Sequence, residues 1–257
     1  MAVIVITGAS SGLGEALALH LSRPCTTIHL VARRGERLNA LAERVRERGS
    51  LPRVHVADVR SPDAMQDVAT NVLGEGPPPD LVIANAGIRG EGDGNSRKVL
   101  EEILATNVLG VAYSILPFLP AMREARKGQV VVVGSLAGYR GLPDAGAYCA
   151  SKAALMAWTD SLRLSLKPDG IALSLVNPGF VTTEMTRRNP YPMPFVMSAE
   201  EAARRIVRGI HRASPRIEFP LPMVLMVRLL AFLPSPTGDW LIRMFSKKNH
   251  ESSRRPD

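Results

Sequence analysis

Short apolar runs alternate with longer amphipathic stretches along this chain. Ala2 to Ile6, Thr27 to Ala32, Arg53 to Ala57, Leu81 to Ala84, Gln129 to Val133 and Ile171 to Val176 are rich in β-branched side chains, and Arg216 to Phe219 offers a seventh run. Near-continuous apolar runs of this kind suit strands buried on both faces. The helix-period segments between them predict crossover helices. The rhythm therefore predicts an α/β fold, a doubly wound parallel sheet with helices on both faces and right-handed crossovers. In such a sheet ligands bind beyond the C-terminal strand ends.

The first run passes directly into Thr7-Gly8-Ala9-Ser10-Ser11-Gly12-Leu13-Gly14 and then into a stretch carrying Leu17, Leu19 and Leu21, which reads as strand, glycine loop, helix. Glycine lets the backbone turn tightly and approach a diphosphate. A helix N-terminus behind it offers free N–H groups and the positive end of a dipole. The spacing Gly8, Gly12, Gly14 differs from G-x-G-x-x-G, and a glycine loop alone is a weak signal.

Farther along, Tyr148-Cys149-Ala150-Ser151-Lys152 sets a phenol and an ammonium at helical i,i+4 spacing, on one face. A cation held there favours the phenolate and brings an acid of pKa about 10 toward neutral pH. Ser135, at the end of Val130-Val131-Val132-Val133, is placed to donate a hydrogen bond to a carbonyl oxygen that gains charge. Taken alone, Tyr-x-x-x-Lys reads rather as a surface pair on an amphipathic helix.

Taken in order, Thr7 to Gly14, Asn85-Ala86-Gly87, Asn107, Ser135, Tyr148 with Lys152, and Pro178-Gly179 resemble the motif series of the short-chain dehydrogenase/reductase family, over Ala2 to about Thr186. The resemblance implies a seven-stranded sheet in the order 3-2-1-4-5-6-7 and a nicotinamide cofactor. Tyr148 would be the acid in carbonyl reduction and the base in alcohol oxidation. Lys152 would lower its pKa and hold the ribose, Ser135 would bind the substrate oxygen, and Asn107 would support a water chain. For Asn107 a locally satisfied helix-interior Asn is the competing reading.

Cofactor contacts implied by the resemblance fall on Gly8, Ser10, Ser11, Gly12, Leu13 and Gly14, on Asp58 and Val59 beside the adenine, and on Asn85, Ala86 and Gly87. Tyr148, Lys152, Pro178, Gly179, Val181 and Thr182 would meet the nicotinamide end. Asp58 reads also as a cap for the turn at Ser61-Pro62. Where NAD-binding sheets carry an acid after the second strand, this chain has Val31-Ala32-Arg33-Arg34. A guanidinium suits a 2′-phosphate, which predicts NADP(H), with Arg33 the first choice and Arg34 the second. A solvated Arg pair opening a helix is the plainer account.

Substrate choice is expected in Phe180 to Pro194, in Leu136 to Asp144 and in the C-terminal segment. Met185, Tyr191, Met193, Phe195 and Met197 form an apolar, adaptable surface suited to a bulky or lipid-like carbonyl compound, or a packed lid. After Phe219 the chain departs from the Gly-rich ending common in the family. Leu221 to Leu233 would form an apolar helix of only ~16 Å, short of the ~30 Å hydrocarbon core. Residues 221–246 then read as a cleft cover or subunit contact, and less readily as an interfacial segment with Arg228, Arg243, Lys247 and Lys248 at lipid headgroups. The tail 247–257 is polar and expected to fray.

Composition narrows the remaining classes. The 257 residues, 46% hydrophobic and 22% charged, suit one globular domain. Cys25 and Cys149 form neither a disulfide framework nor a metal-ligand cluster, which suits a reducing compartment. With no basic and apolar leader ahead of the first run, a cytoplasmic location is expected. The net charge of +8 comes without a recognition helix or aromatic-basic patch, which argues against a nucleic-acid partner. A homo-oligomer acting on a small-molecule substrate is expected. An NADPH-dependent carbonyl reductase is the leading function, and a catalytically idle NADP-binding sensor or scaffold is the alternative.

Overall fold

The computed structural model describes residues 1–90, 94, 96–187 and 193–252, with side chains through Met244. Strands β1 (Ala2–Thr7), β2 (Thr26–Ala32), β3 (Leu51–Val56), β4 (Leu81–Ala84), β5 (Gly128–Val133), β6 (Ile171–Pro178) and β7 (Arg216–Phe219) form one sheet in the order β3-β2-β1-β4-β5-β6-β7. All of its pairings are parallel. Every expected run is a strand and the expected order holds, with β3 beginning at Leu51 rather than Arg53. The direction of winding reverses at β1, between β2 and β4, which puts the binding crevice at the C-terminal ends of these strands.

Residues of alternate parity feed two cores, as the pleat demands. Ile4, Ile6, Ile28, Leu30, Ile83 and Val131 point to one face, where helices α1 (Gly12–Leu21) and α2 (Gly35–Glu47) supply Leu17, Leu38 and Val45. Val3, Val5, Val82, Val130 and Val132 point to the other, against α3 (Pro62–Gly74). The helical run α4 (Arg97–Leu104), α5 (Gly110–Tyr113) and α6 (Leu119–Glu124), followed by α7 (Gly146–Leu166), completes that second layer. Helix α8 (Ala199–His211) returns to the first face with Ile206 and Ile210. Ser61 starts α3 by accepting from the Ala64 N–H at 3.2 Å, and Ser198 starts α8 by accepting from the Glu201 N–H at 3.1 Å.

The stretch Arg97–Glu124 is the one helical segment among the described residues long and apolar enough to cross a membrane. Its apolar residues are otherwise employed. Val111, Ile115, Phe118 and Met122 are buried under the sheet, as a core helix requires.

Beyond β7 lie α9 (Leu221–Phe232) and α10 (Ser235–Ser252). Met223 and Val224 of α9 pack on Leu136, with Tyr139, Phe180 and Val227 around them, so one face of α9 is held against the segment after β5. The Arg228 guanidinium pairs with Glu218 at 2.5 Å and lies over the Tyr139 ring, with its side chain half-exposed. Arg140 anchors α10 through Asp239 at 2.9 Å. Helix α10 runs through Ser252. Tyr191 and the side chains of Lys247 and Lys248 lie outside the described residues.

Candidate active site

Gly8 and Gly14 are glycines because the loop folds onto its neighbours. Gly8 has φ +67°, and a Cβ there would stand 2.8 Å from the Ala86 Cα. At Gly14 a Cβ would be driven into the Gly8 carbonyl oxygen. The loop is stapled from β4. Asn85 Nδ2 donates to the carbonyl oxygens of Thr7 at 3.1 Å and Gly8 at 3.2 Å, and the Asn85 N–H donates to Thr7 Oγ1 at 3.2 Å. The α1 N-cap, Ser11, makes no side-chain cap, so the first-turn N–H groups are left to an anion. Leu13 is buried in the core and has only its backbone to offer. A backbone cradle that a Cβ would fill, facing an uncapped helix end, fits a dinucleotide diphosphate.

Tyr148 and Lys152 lie on α7, one turn apart as their spacing requires, and the Lys152 Nζ sits 5.6 Å from the Tyr148 ring centroid. The Ser135 hydroxyl lies on the phenol side of Tyr148 and favours its ionised form. Ser135 follows β5, and its Oγ accepts from the Ala137 N–H at 3.1 Å, which fixes the hydroxyl at the strand end. Lys152, 4% exposed, donates to the Val133 carbonyl oxygen at 3.0 Å and so ties α7 to β5.

The electrostatics differ from the expectation that Lys152 makes the phenol more acidic. Burial holds the Tyr148 phenol above its ordinary value, and the Ser135 hydroxyl offsets this only in part. Burial also lowers the Lys152 ammonium to about 8. Desolvation is the largest cause for both groups. Tyr148 is therefore in its protonated form at neutral pH, the form a proton donor needs.

Asn107 lies in a π-helical turn, Ala105–Leu109, between α4 and α5, and is fully buried. Its side chain clasps the backbone of Ile88, accepting from the N–H at 2.8 Å and donating to the carbonyl oxygen at 2.8 Å, and donates to Ser151 Oγ at 3.1 Å. Both Asn107 Oδ1 and Lys152 Nζ stand over Gly87, at 3.3 and 3.6 Å from where a Cβ would be. The side-chain amide is thus engaged within the chain. It fixes the turn after Asn85-Ala86-Gly87 against α7.

At the adenosine end the two arginines diverge. Arg33, expected first, is largely exposed and faces Asp58 at 3.8 Å. Arg34 turns to the glycine loop, donating to Ser10 Oγ at 3.0 Å and Ser11 Oγ at 2.5 Å. Asp58 does act on the turn toward α3, accepting from the Arg60 N–H at 3.0 Å, and the Arg60 guanidinium beside it holds its carboxyl below the usual range. Val59 packs against Gly110, whose Cβ would stand 2.8 Å from it.

Pro178 ends β6, and the Gly179 N–H donates to the Phe219 carbonyl oxygen at 2.7 Å. Val181–Thr182 pairs with Met197–Ser198 in a two-stranded bridge. The Val181 side chain is in the core, so it can meet a cofactor only through its backbone. Met197, read as part of an adaptable lid, is likewise core, whereas Met185 and Phe195 are exposed. Sequence reasoning missed Thr183, whose methyl lies 3.0 Å from where a Gly12 Cβ would stand, and Glu184, which binds Arg34 and Arg37. It also missed Glu218, which accepts from Tyr139 at 2.7 Å and Asn177 at 2.8 Å and pairs with Arg228, and so joins β6, β7 and α9. Only long-range pairing reveals these, and no local spacing marks them.

The family model described as short chain dehydrogenase matches residues 2–192. An uncharacterized oxidoreductase of Myxococcus xanthus is 37% identical over 239 residues, covering 91% of this chain and 94% of its own. An 11-beta-hydroxysteroid dehydrogenase-like protein of Arabidopsis thaliana is 34% identical, covering 85% and 73%. A solved short-chain dehydrogenase from Sphingobium yanoikuyae, in complex with NADPH, superposes with TM-score 0.79 at 26% identity, covering 99% of this chain and 97% of that one. With the sheet order and the convergence of Ser135, Tyr148 and Lys152 at the strand ends, these matches make the chain a member of the short-chain dehydrogenase family of nicotinamide-dependent oxidoreductases.

Proposed function

We propose that the chain is an NADP(H)-dependent reductase of apolar carbonyl compounds. The observation that carries the chemistry is the Tyr148 phenol set beside the buried Lys152 on one face of α7, next to Ser135 at the end of β5. Hydride is what the cofactor supplies when bound. The chain's own residues manage the rest. Ser135 and Tyr148 hold the substrate oxygen, and Tyr148 gives it a proton as charge develops there. The Lys152 ammonium, one turn away, stabilises the phenolate left behind, which recovers a proton from solvent. Asn107 acts on positions, by fixing the backbone at Ile88. All four residues being brought into one connected arrangement speaks against an idle sensor or scaffold.

Two features support the phosphorylated cofactor. No acid follows β2, and the Arg34 guanidinium rests on Ser10 and Ser11 at the rim of the glycine loop. The NADPH complex of the Sphingobium protein agrees with this reading. For the substrate, Leu136, Phe180, Met223 and Val224 offer an apolar wall next to Ser135 and Gly179. A bulky, poorly polar carbonyl compound fits such a wall, in keeping with the name of the Arabidopsis relative. The exposed face of α9 we assign to contact between subunits.

Absorbance-monitored NADPH oxidation with a panel of steroid, quinone and aldehyde carbonyls tests the reading. Tyr148→Phe is expected to bind NADPH normally and to lose turnover by roughly a hundredfold to ten-thousandfold, the usual weight of a general acid. Near-normal turnover refutes the assignment of Tyr148, and a kcat/KM higher with NADH than with NADPH refutes the cofactor.

A further inference from the structure

Glu184 opens a single helical turn, Glu184–Arg187, directly after the bridge residues Val181–Thr182. Its carboxylate is gripped by two guanidinium groups, Arg34 at 2.9 Å and Arg37. Because Arg34 also donates to Ser10 and Ser11, one side chain fastens the segment after β6 to the rim of the glycine loop. The turn is braced from within. Thr186 Oγ1 donates to the Val181 carbonyl oxygen at 2.6 Å and accepts from the Thr183 N–H at 2.9 Å. With Thr183 lying over Gly12, this segment rests on the loop that would hold the diphosphate.

Two arginines converging on one anion are the arrangement a phosphate monoester recognises. A carboxylate brings a single negative charge and a phosphate monoester about −1.5 to −2 at pH 7. Arg33 is paired with Asp58, and Arg34 and Arg37 are the two guanidinium groups that converge on one anion. We propose that Glu184 is an internal latch, occupying the Arg34–Arg37 pair until the 2′-phosphate of the dinucleotide displaces it. An unphosphorylated dinucleotide leaves the latch closed. Only the phosphorylated cofactor then frees the segment after β6 from the glycine loop. This rests on the NADP(H) reading and deepens it, because discrimination comes from the release of a competitor as well as from direct contact. The two guanidinium groups hold the Glu184 carboxyl down at about 2, so it stays ionised at any working pH and the exchange is one anion for another.

Calorimetric titration of wild type and Glu184→Gln with 2′,5′-ADP and with ADP tests the latch without turnover. Glu184 is half-exposed, and the variant is expected to fold with an unchanged thermal midpoint. It should bind 2′,5′-ADP roughly three- to tenfold more tightly, the range two half-exposed ion pairs allow. Its affinity for ADP should not change. Ligand-free Glu184→Gln should also be cut faster by trypsin after Arg187. Unchanged or weaker 2′,5′-ADP binding, or unchanged cleavage, overturns the latch. If wild type still prefers 2′,5′-ADP to ADP, the cofactor reading survives that failure; if it shows no preference, both fall.

Discussion

Lys152 is the residue whose charge should govern the pH range of the enzyme. Its ammonium is enclosed by β5, α7 and the turn at Gly87, and burial brings it down from 10.5 to about 8. Tyr148 moves the other way and stays protonated across the same range. In the reductive direction kcat/KM should therefore be level below about pH 7 and fall about tenfold per pH unit above about 8, as Lys152 loses its proton. A profile that stays level to pH 10 would remove Lys152 from the proton chemistry. Stability should follow a related course. Between about pH 8 and 10.5 the unfolded chain binds the proton the folded chain has lost, so wild type should gain stability with rising pH relative to Lys152→Met, by at most about 3 kcal/mol. Much at this scale was legible in the sequence, because the Tyr148–Lys152 relation is set by one helical turn and the Gly8–Gly14 loop by local backbone demands. The choice between Arg33 and Arg34 was not. Neighbours at the end of a strand point to opposite sides, and only the packed structure shows that Arg33 meets Asp58 while Arg34 meets Ser10.

Between elements, the pairing of β2 with β3 carries a device that periodicity did not announce. His29 and His55 stack across the two strands with ring centroids 5.2 Å apart and their Nδ1 and Nε2 atoms at 2.9 Å. Burial, with His55 adding to it, lowers His29 to about 4, and burial lowers His55 as well. Two neutral rings share a hydrogen bond and two charged ones repel. The sign is then fixed. From pH 6.5 down to about 4 the unfolded chain takes up a proton that folded His29 refuses, so stability falls as pH drops through that window. Urea unfolding at pH 4.5 and pH 7 should show His29→Leu losing about 2 kcal/mol less than wild type over that interval. An equal loss in both proteins would mean that other groups set the acid limb. Strands and crossover helices were readable from apolar runs because both faces of a parallel sheet are buried. The π turn that turns Asn107 inward was not, since it is a one-residue defect in a helix whose apolar spacing reads as continuous.

On the scale of the whole molecule, a parallel sheet with its cleft at the C-terminal strand ends follows from the alternating runs and right-handed crossovers, whereas the strand order came from the family resemblance. What lies beyond β7 did not follow from either, because an apolar helix can cover a cleft, a partner or a lipid with the same residues. The structure divides α9 between two tasks. Met223 and Val224 face Leu136 and Phe180, while Leu221, Leu225, Leu229 and Phe232 repeat at helical spacing on the exposed side, Phe232 being 88% exposed. A stripe of large apolar residues on a water-soluble surface is costly unless something covers it, and each such side chain contributes roughly 1.5–3 kcal/mol when fully buried. Arg228, the cation of α9, is paired with Glu218, so this stripe of Leu221, Leu225, Leu229 and Phe232 suits a second apolar stripe better. Light scattering of the purified protein should then give a multiple of the 27.8 kDa chain mass, and Leu225→Glu with Leu229→Glu should bring it to that mass. Thermal midpoint and NADPH oxidation should survive the change, because neither residue touches the cleft wall formed by Met223 and Val224. A wild type that is monomeric by mass removes the subunit contact. Sedimentation with anionic vesicles, abolished by the same two substitutions, would then give the stripe to a lipid surface.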